Sequence, residues 1–213
     1  KKPTIINNVE TLSNIPIIIN KGAKWYSKLG TAESKGTKLF CVSGDVERPG
    51  VYELELGTNL KELLDLAGAT DIKMVQVGGS VGSIIPAEKL DTPLAFETAL
   101  GSGAVMVFNE TRDVVDFAYR TIEFLNEESC GKCTPCREGT EVMLEVLGRL
   151  VSGEGMEEDL STLANLGAVM KDAALCGLGQ TVPVPIMDTL KFFRKEYENR
   201  ISQSVLLRSL KAV

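Results

Sequence analysis

The 213-residue chain contains no histidine. That removes the commonest general base and metal-binding imidazole, and excludes Ser-His and Cys-His nucleophilic mechanisms. No catalytic residue is read from the chain. It also lacks any run of about 18 or more apolar residues, the length a helix needs to cross a bilayer. The opening Lys1-Lys2-Pro3-Thr4 has neither the apolar stretch nor the cleavage site of a secretory signal, so a cytoplasmic protein is expected. No methionine stands at position 1, and the first residues read like the interior of a longer protein whose N-terminal portion lies upstream. Basic residues are outnumbered, 23 against 29 acidic, and the net charge is −6. This argues against non-specific binding to nucleic acid or anionic membrane. Cysteine is sparse too. Five in the whole chain are too few for a disulfide framework, and the odd count leaves one over. Otherwise the composition is that of an ordinary globular protein, long enough for one large domain or two small ones.

The cysteines that are present are unevenly placed. Residues 130–137 read Cys-Gly-Lys-Cys-Thr-Pro-Cys-Arg, which puts Cys130, Cys133 and Cys136 in one short run, and a fourth follows at Cys176. Three thiolates in one tight run can wrap one face of an inorganic cube, and a distant fourth can close it. Iron–sulfur clusters are held by four such thiolates, often at C-x2-C-x2-C spacing. Structural zinc also takes four cysteines, but usually as two separate C-x2-C pairs, whereas the split here is three plus one. A dithiol redox motif would not need the third cysteine. The reading is therefore a 4Fe–4S cluster on Cys130, Cys133, Cys136 and Cys176, in an electron-transfer protein or a piece of one. Cys41, flanked by Phe40 and Val42 in a predicted strand, reads as a structural, buried thiol.

Three zones are expected along the chain. Residues 1–35 hold a short helix over 15–28, begun by Ser13 or Asn14 with Pro16, and end in a polar linker. Asn7 to Thr11 reads as a helix-capping segment. Residues 36–110 read as a mixed domain with strands over 38–43, 51–56, 73–77 and 104–108. A tight type II turn is expected over 47–50, with Pro49 and Gly50 central. A helix capped by Thr58 or Asn59 carries the apolar stripe Leu60, Leu63, Leu64 and Ala67 and is closed by Gly68. A hairpin, a helix across its face and further strands is the order of a ubiquitin-like β-grasp sheet. The glycine-rich segment 78–83 matches no phosphate-loop motif and reads as a turn, as does 101–103. Residues 111–213 are expected to be helical over about 111–126, from 134 to Gly153, over 157–172 and over 186–201, as an antiparallel four-helix bundle. The fold class is α+β.

In that layout Cys130 and Cys133 fall in the first inter-helix loop and Cys136 in the first turn of the next helix. Thr134 is the expected N-cap and Pro135 the first helical residue. The helix N-terminus favours an anionic cluster, and Lys132 and Arg137 flank the run with positive charge. The bland alternative for that pair is a solvated surface couple. Gly131 lets the chain turn, and Cys176, followed by Gly177-Leu178-Gly179, lies in a loop at the same end of the bundle.

The stretch Glu128-Ser129-Cys130-Gly131-Lys132-Cys133-Thr134-Pro135-Cys136-Arg137-Glu138-Gly139 resembles the cluster motif of the NADH-binding flavoprotein subunit of respiratory complex I. The same subunit type occurs in NAD(P)-linked, often electron-bifurcating, iron hydrogenases and formate dehydrogenases. Cys176-Gly177-Leu178-Gly179 resembles the family's fourth-ligand loop. Pro3 to Leu12 resembles the segment closing its flavin domain, and Val42 to Tyr52 the opening of its soluble-ligand-binding β-grasp (SLBB) module. The resemblance runs over essentially the whole chain. It implies an upstream α/β domain that binds FMN and NAD(H), followed by an SLBB domain and a 4Fe–4S bundle. Electrons would pass from NAD(P)H through FMN and the cluster to iron–sulfur partner subunits. Asn7 and Asn8 would contact FMN in the intact subunit, and residues 1–35 would be the end of the flavin domain plus a linker. This chain alone would not oxidise NAD(P)H. The run Gly-Leu-Gly-Gln-Thr-Val-Pro-Val-Pro-Ile after Cys176 looks more like the hydrogenase-type members than the respiratory ones. The alternative reading is a small-ligand-binding β-grasp module with a structural zinc site.

Overall fold

A computed structural model describes residues 2–201. Its sheet has five strands in the order β2-β1-β5-β3-β4. β1 (Thr37–Gly44) and β2 (Gly50–Glu55) form an antiparallel hairpin with Phe40 opposite Tyr52. β5 (Ala104–Asn109) runs parallel to β1, β3 (Ile72–Val77) antiparallel to β5, and β4 (Ser83–Pro86) closes the far edge. With α3 (Leu60–Ala67) across one face, this is the expected β-grasp arrangement. Leu60, Leu63, Leu64 and Ala67 are all buried, packed with Phe40, Val75, Val77, Val105 and Val107. Asn59 occupies the N-cap, and Gly68 ends the helix in the left-handed region at φ 71°.

Met74 and Ile84 join a second core with the helical half of the chain. There α4 (Val114–Glu127) packs on α5 (Thr134–Val151), α5 on α6 (Glu157–Ala173), α6 on α8 (Pro183–Phe192), and α8 back on α4. Asp188 of α8 accepts the Ile84 N–H of β4 at 3.0 Å, joining bundle to sheet edge, and burial raises its pKa. The start of α4 is a second joint. Asp113 caps the helix by accepting the Val115 and Asp116 amides, and it pairs with Arg200. Arg112 Nε donates to Asp45 at the end of β1 at 2.8 Å, and Asp45 also accepts the Asn109 amide.

Several expectations need correction. The first helix, α1 (Val9–Lys21), starts earlier than predicted because the Asn8 side chain caps it, accepting the Glu10 and Thr11 amides. Pro16 lies inside α1 rather than at its start. Gly22 then breaks the helix from the short α2 (Ala23–Tyr26). None of the α1 residues is buried, and Ile5, Ile6, Val9 and Ile19 are strongly exposed. The 47–50 turn is not type II, since Gly50 has no positive φ and opens β2. The loop is instead drawn onto the end of α3, where Val46 bridges Ala69 and Arg48 donates to the Ala67 and Leu66 carbonyls. β4 is an element that the sequence does not predict. The predicted last helix starts early, at Pro183, and breaks at Phe193 (φ −124°, ψ 31°), leaving α9 (Arg194–Glu198) as a separate turn. Cys41 is exposed, because strand alternation turns Phe40 and Val42 inward and the residue between them out. Residues 202–213 of the expected helical zone lie outside the described residues.

The hydrogen bonds from Arg112 and Asn109 hold the Asp45 carboxyl down at a pKa of about 2, against 3.8 ordinarily. A depressed carboxylate contributes stability that is complete above the unfolded value and lost as pH falls through the folded one. Discounted for solvent screening, Asp45→Asn is expected to cost about 1 kcal/mol at pH 7. In urea melts repeated at descending pH, the gap from the parent chain should shrink from near pH 4 downward. A gap that stays constant to pH 2 would show that the carboxylate charge contributes nothing.

Candidate metal centre

The four cysteines of interest are free thiols at or beside helix starts. Cys130 is exposed in the α4–α5 loop. Cys133 is the N-cap of α5, one residue earlier than expected, so Thr134 is the first helical residue and Pro135 the second. Cys136 lies in the first turn of α5 and is buried. Cys176 is the N-cap of an unforeseen short helix, α7 (Gly177–Thr181), between α6 and α8. Gly131 turns the loop at φ 70°, and Arg137 Nη1 donates to the Gly131 carbonyl at 2.8 Å. Arg137 also pairs with the exposed Glu138, so its guanidinium serves the loop's own structure, while Lys132 stays exposed.

The topology brings the two cysteine-bearing segments together. A Cβ placed on Gly179 would lie 3.1 Å from the Cys136 Cβ, 3.5 Å from its Sγ and 2.7 Å from the Ala174 Cβ. The first turn of α7 therefore rests directly on the first turn of α5. The Cys133 thiol pKa is lowered chiefly by the backbone N–H of Leu175, next to Cys176, and then by that of Cys136. Donors aimed at sulfur favour the thiolate, which is the form that binds metal. The thiol side chains themselves are not drawn into a cage: among the described residues, no three Cys, Asp or Glu side chains are grouped closely enough to hold a metal ion. Donor chemistry and the approach of α7 to α5 fit a four-thiolate group.

Three residues around the site went unread in the sequence. The Ser129 hydroxyl is 3.4 Å from the Cys136 sulfur and accepts the Gly131 N–H. Thr140, fully buried one turn after Cys136, bonds the Asn126 side chain at 2.7 Å and the Cys136 carbonyl at 2.9 Å. The i, i+4 spacing of Cys136 and Thr140 was the available signal for the second; Ser129 had none beyond adjacency to Cys130. Asn8, the α1 cap, and Asn7 stand apart from these cysteines in the sequence. Asn8 lines a hollow of about 310 Å³ with Glu10, Asn14, Lys38 and Phe96, while Asn7 is exposed.

The arrangement is that of an SLBB β-grasp domain joined to an iron–sulfur helical region. An SLBB profile matches residues 39–83, and the profile described as NADH-ubiquinone oxidoreductase-F iron-sulfur binding region matches residues 116–200. The latter span contains Cys130, Cys133, Cys136 and Cys176. NADP-reducing hydrogenase subunit HndC of Solidesulfovibrio fructosivorans is 42% identical over 212 residues, covering 94% of this chain and 43% of that one. The F-type subunit of the NADH-quinone oxidoreductase of Mycobacterium tuberculosis H37Rv is 42% identical over 205 residues, covering 92% of this chain and 46% of that one. A crystal structure of NAD+-reducing NiFe hydrogenase in the H2-reduced state superposes with a TM-score of 0.89 at 40% identity, over 94% of this chain and 36% of that one. The chain carries the iron–sulfur binding region and the SLBB domain, is homologous to NADH-quinone oxidoreductase F-type and NAD-reducing hydrogenase subunits, and spans less than half the length of these relatives. Among the described residues, no helix is long and apolar enough to cross a membrane.

Because α7 sits directly on α5, Gly179→Ala must push the two turns apart. Overpacking of this kind costs about 1–3 kcal/mol. Urea unfolding of the metal-free chain measures it, and a loss below about 0.5 kcal/mol would mean that the two turns are free to separate.

Proposed function

We propose that this chain is the electron-relay segment of an NAD(P)H-oxidising flavoprotein subunit, with Cys130, Cys133, Cys136 and Cys176 as ligands of a 4Fe–4S cluster. The observation that carries the reading is the seating of the Cys176 helix on the Cys136 turn, which joins a three-plus-one cysteine set otherwise 40 positions apart in sequence (176 − 136). A cluster bound there would supply one-electron storage. The chain's own residues would do the rest. Four thiolates fix it, the α5 N-terminus and the amides facing Cys133 offset its negative charge, and the buried Cys136 anchors it to the bundle.

The same reading divides the chain into 1–35 as the end of a flavin domain plus linker, 36–110 as the SLBB domain and 111–213 as the cluster domain. The exposed apolar side chains of α1 support it, since they would pack on such a domain. Asn7 and Asn8 would face FMN in the intact subunit. The partners are further iron–sulfur subunits of a soluble, cytoplasmic oxidoreductase. Relatives of the hydrogenase and respiratory kinds reach the same 42% identity. The hydrogenase-type assignment is therefore supported by the sequence that follows Cys176. On this reading the residues described carry electrons, and NAD(P)H oxidation belongs to the flavin domain of the intact subunit.

Anaerobic reconstitution tests this directly. The chain should take up about four iron atoms with matching acid-labile sulfide and give a half-integer-spin EPR signal after dithionite reduction. Cys133→Ser should lose both. Stoichiometric zinc with no iron uptake would sink the reading in favour of a structural site.

A further inference from the structure

We propose that Ser129 is a positioning residue for the iron–sulfur centre, its hydroxyl donating a hydrogen bond to the Cys136 sulfur and thereby raising the reduction potential. This rests on the reading of Cys136 as a cluster ligand. The two atoms are 3.4 Å apart, within hydrogen-bonding range for sulfur. In the free thiol either could donate. Once the sulfur is deprotonated to bind iron it has no proton left and can only accept, so the hydroxyl must be the donor. The hydroxyl is already oriented for that role. Its oxygen accepts the Gly131 N–H at 3.3 Å, which leaves its single proton to point at the sulfur. The turn that places it is fixed in its own right, by the left-handed Gly131 and by Arg137 gripping the Gly131 carbonyl.

No nearby group can substitute. Cys136 is 5% exposed, which limits replacement by water. The Thr140 hydroxyl proton is directed to Asn126 Oδ1 or to a backbone carbonyl of the Cys136 turn. Among the described residues, Ser129 is the side chain hydrogen-bonded to the Cys136 sulfur. A donor on a ligand sulfur draws off electron density and stabilises the reduced, more negative cluster more than the oxidised one.

The test compares the reconstituted parent chain with Ser129→Ala, Ser129→Thr and Ser129→Val. Threonine keeps the hydroxyl, and valine has the same shape without it. The readouts are iron per chain, far-ultraviolet circular dichroism and the midpoint potential from EPR-monitored redox titration. Alanine and valine should load about four irons and shift the couple about tenfold toward the oxidised form, roughly 59 mV lower for one electron. Threonine should stay within about twofold of the parent. A parent-like potential in alanine and valine, or a valine-sized shift in threonine, overturns the proposal. If alanine and valine fold but lose iron, retention by threonine supports the hydroxyl's role, and loss by threonine too refutes it. A parent chain that takes no iron removes the cluster reading itself, and the role of Ser129 with it.

Discussion

The site depends on how closely helices approach one another, and glycines set that distance at three crossings. A side chain on Gly179 would strike Cys136 and Ala174, one on Gly139 would come within 2.7 Å of the Met170 sulfur, and one on Gly167 within 2.8 Å of the Met187 sulfur. These notches seat α7 on α5, α6 on α5 and α8 on α6. Methionine is a suitable knob for such notches because it is unbranched and fills irregular space. The chain that leaves α6 at Ala173 must deliver Cys176 to the α5 N-terminus within three residues (176 − 173). It can do so only because α6 already lies hard against α5. The geometry of the fourth thiol is thus set by packing well away from it.

A second constraint holds the two halves together. The start of α4 gathers charge from three elements: Arg112 reaches Asp45 on the sheet, Asp113 reaches Arg200 beyond α9, and Glu196 of α9 pairs with Lys73 of β3 at 2.7 Å. Exposed pairs taken singly contribute little. Here they share one helix start with the Asp113 cap, while Met74 and Ile84 share a buried core with the bundle. Buried Tyr197 adds a hydrogen bond to Thr189 at 2.7 Å, and burial raises its pKa strongly. The β-grasp sheet and the bundle therefore share a core.

Much of this is legible in the sequence where periodicity and punctuation agree. The α3 stripe with its Asn59 and Gly68 ends is visible because an apolar 3.6-residue repeat lies between two strong end signals. Prediction fails where one local signal outweighs its surroundings. Pro16 suggests a helix start, yet it lies within a helix already nucleated by Asn8. Pro49-Gly50 suggests a type II turn, yet contacts with α3 decide the loop. β4 is a four-residue strand whose Ile84, Ile85 and Pro86 are all buried, so it shows neither alternation nor length. At the site, cysteine spacing is a chemical signal and stands out. Ser129 and Gly179 matter through the path of a loop and the contact of two helices, which no spacing rule encodes.

The burial of the four thiols runs in a definite order, and that order matters for an electron relay. Cys136 is enclosed by the bundle, Cys133 is half-buried beneath the Leu175 amide, and Cys130 and Cys176 are exposed, with Leu175 itself 75% exposed beside them. A fully buried charged centre would carry a large desolvation penalty for each added electron, and a fully exposed one would be screened by water and vulnerable to oxidation. One side held by a helix start and buried polar groups, with the other side near the surface, lies between these limits. For a cluster held by these four thiols, the buried side would be steadied by Thr140, which bonds Asn126 and the Cys136 carbonyl, and the exposed side would leave short routes for single electrons. For a cluster at this site, the same asymmetry would give small polar groups on the buried side more weight, because water is largely excluded around Cys136.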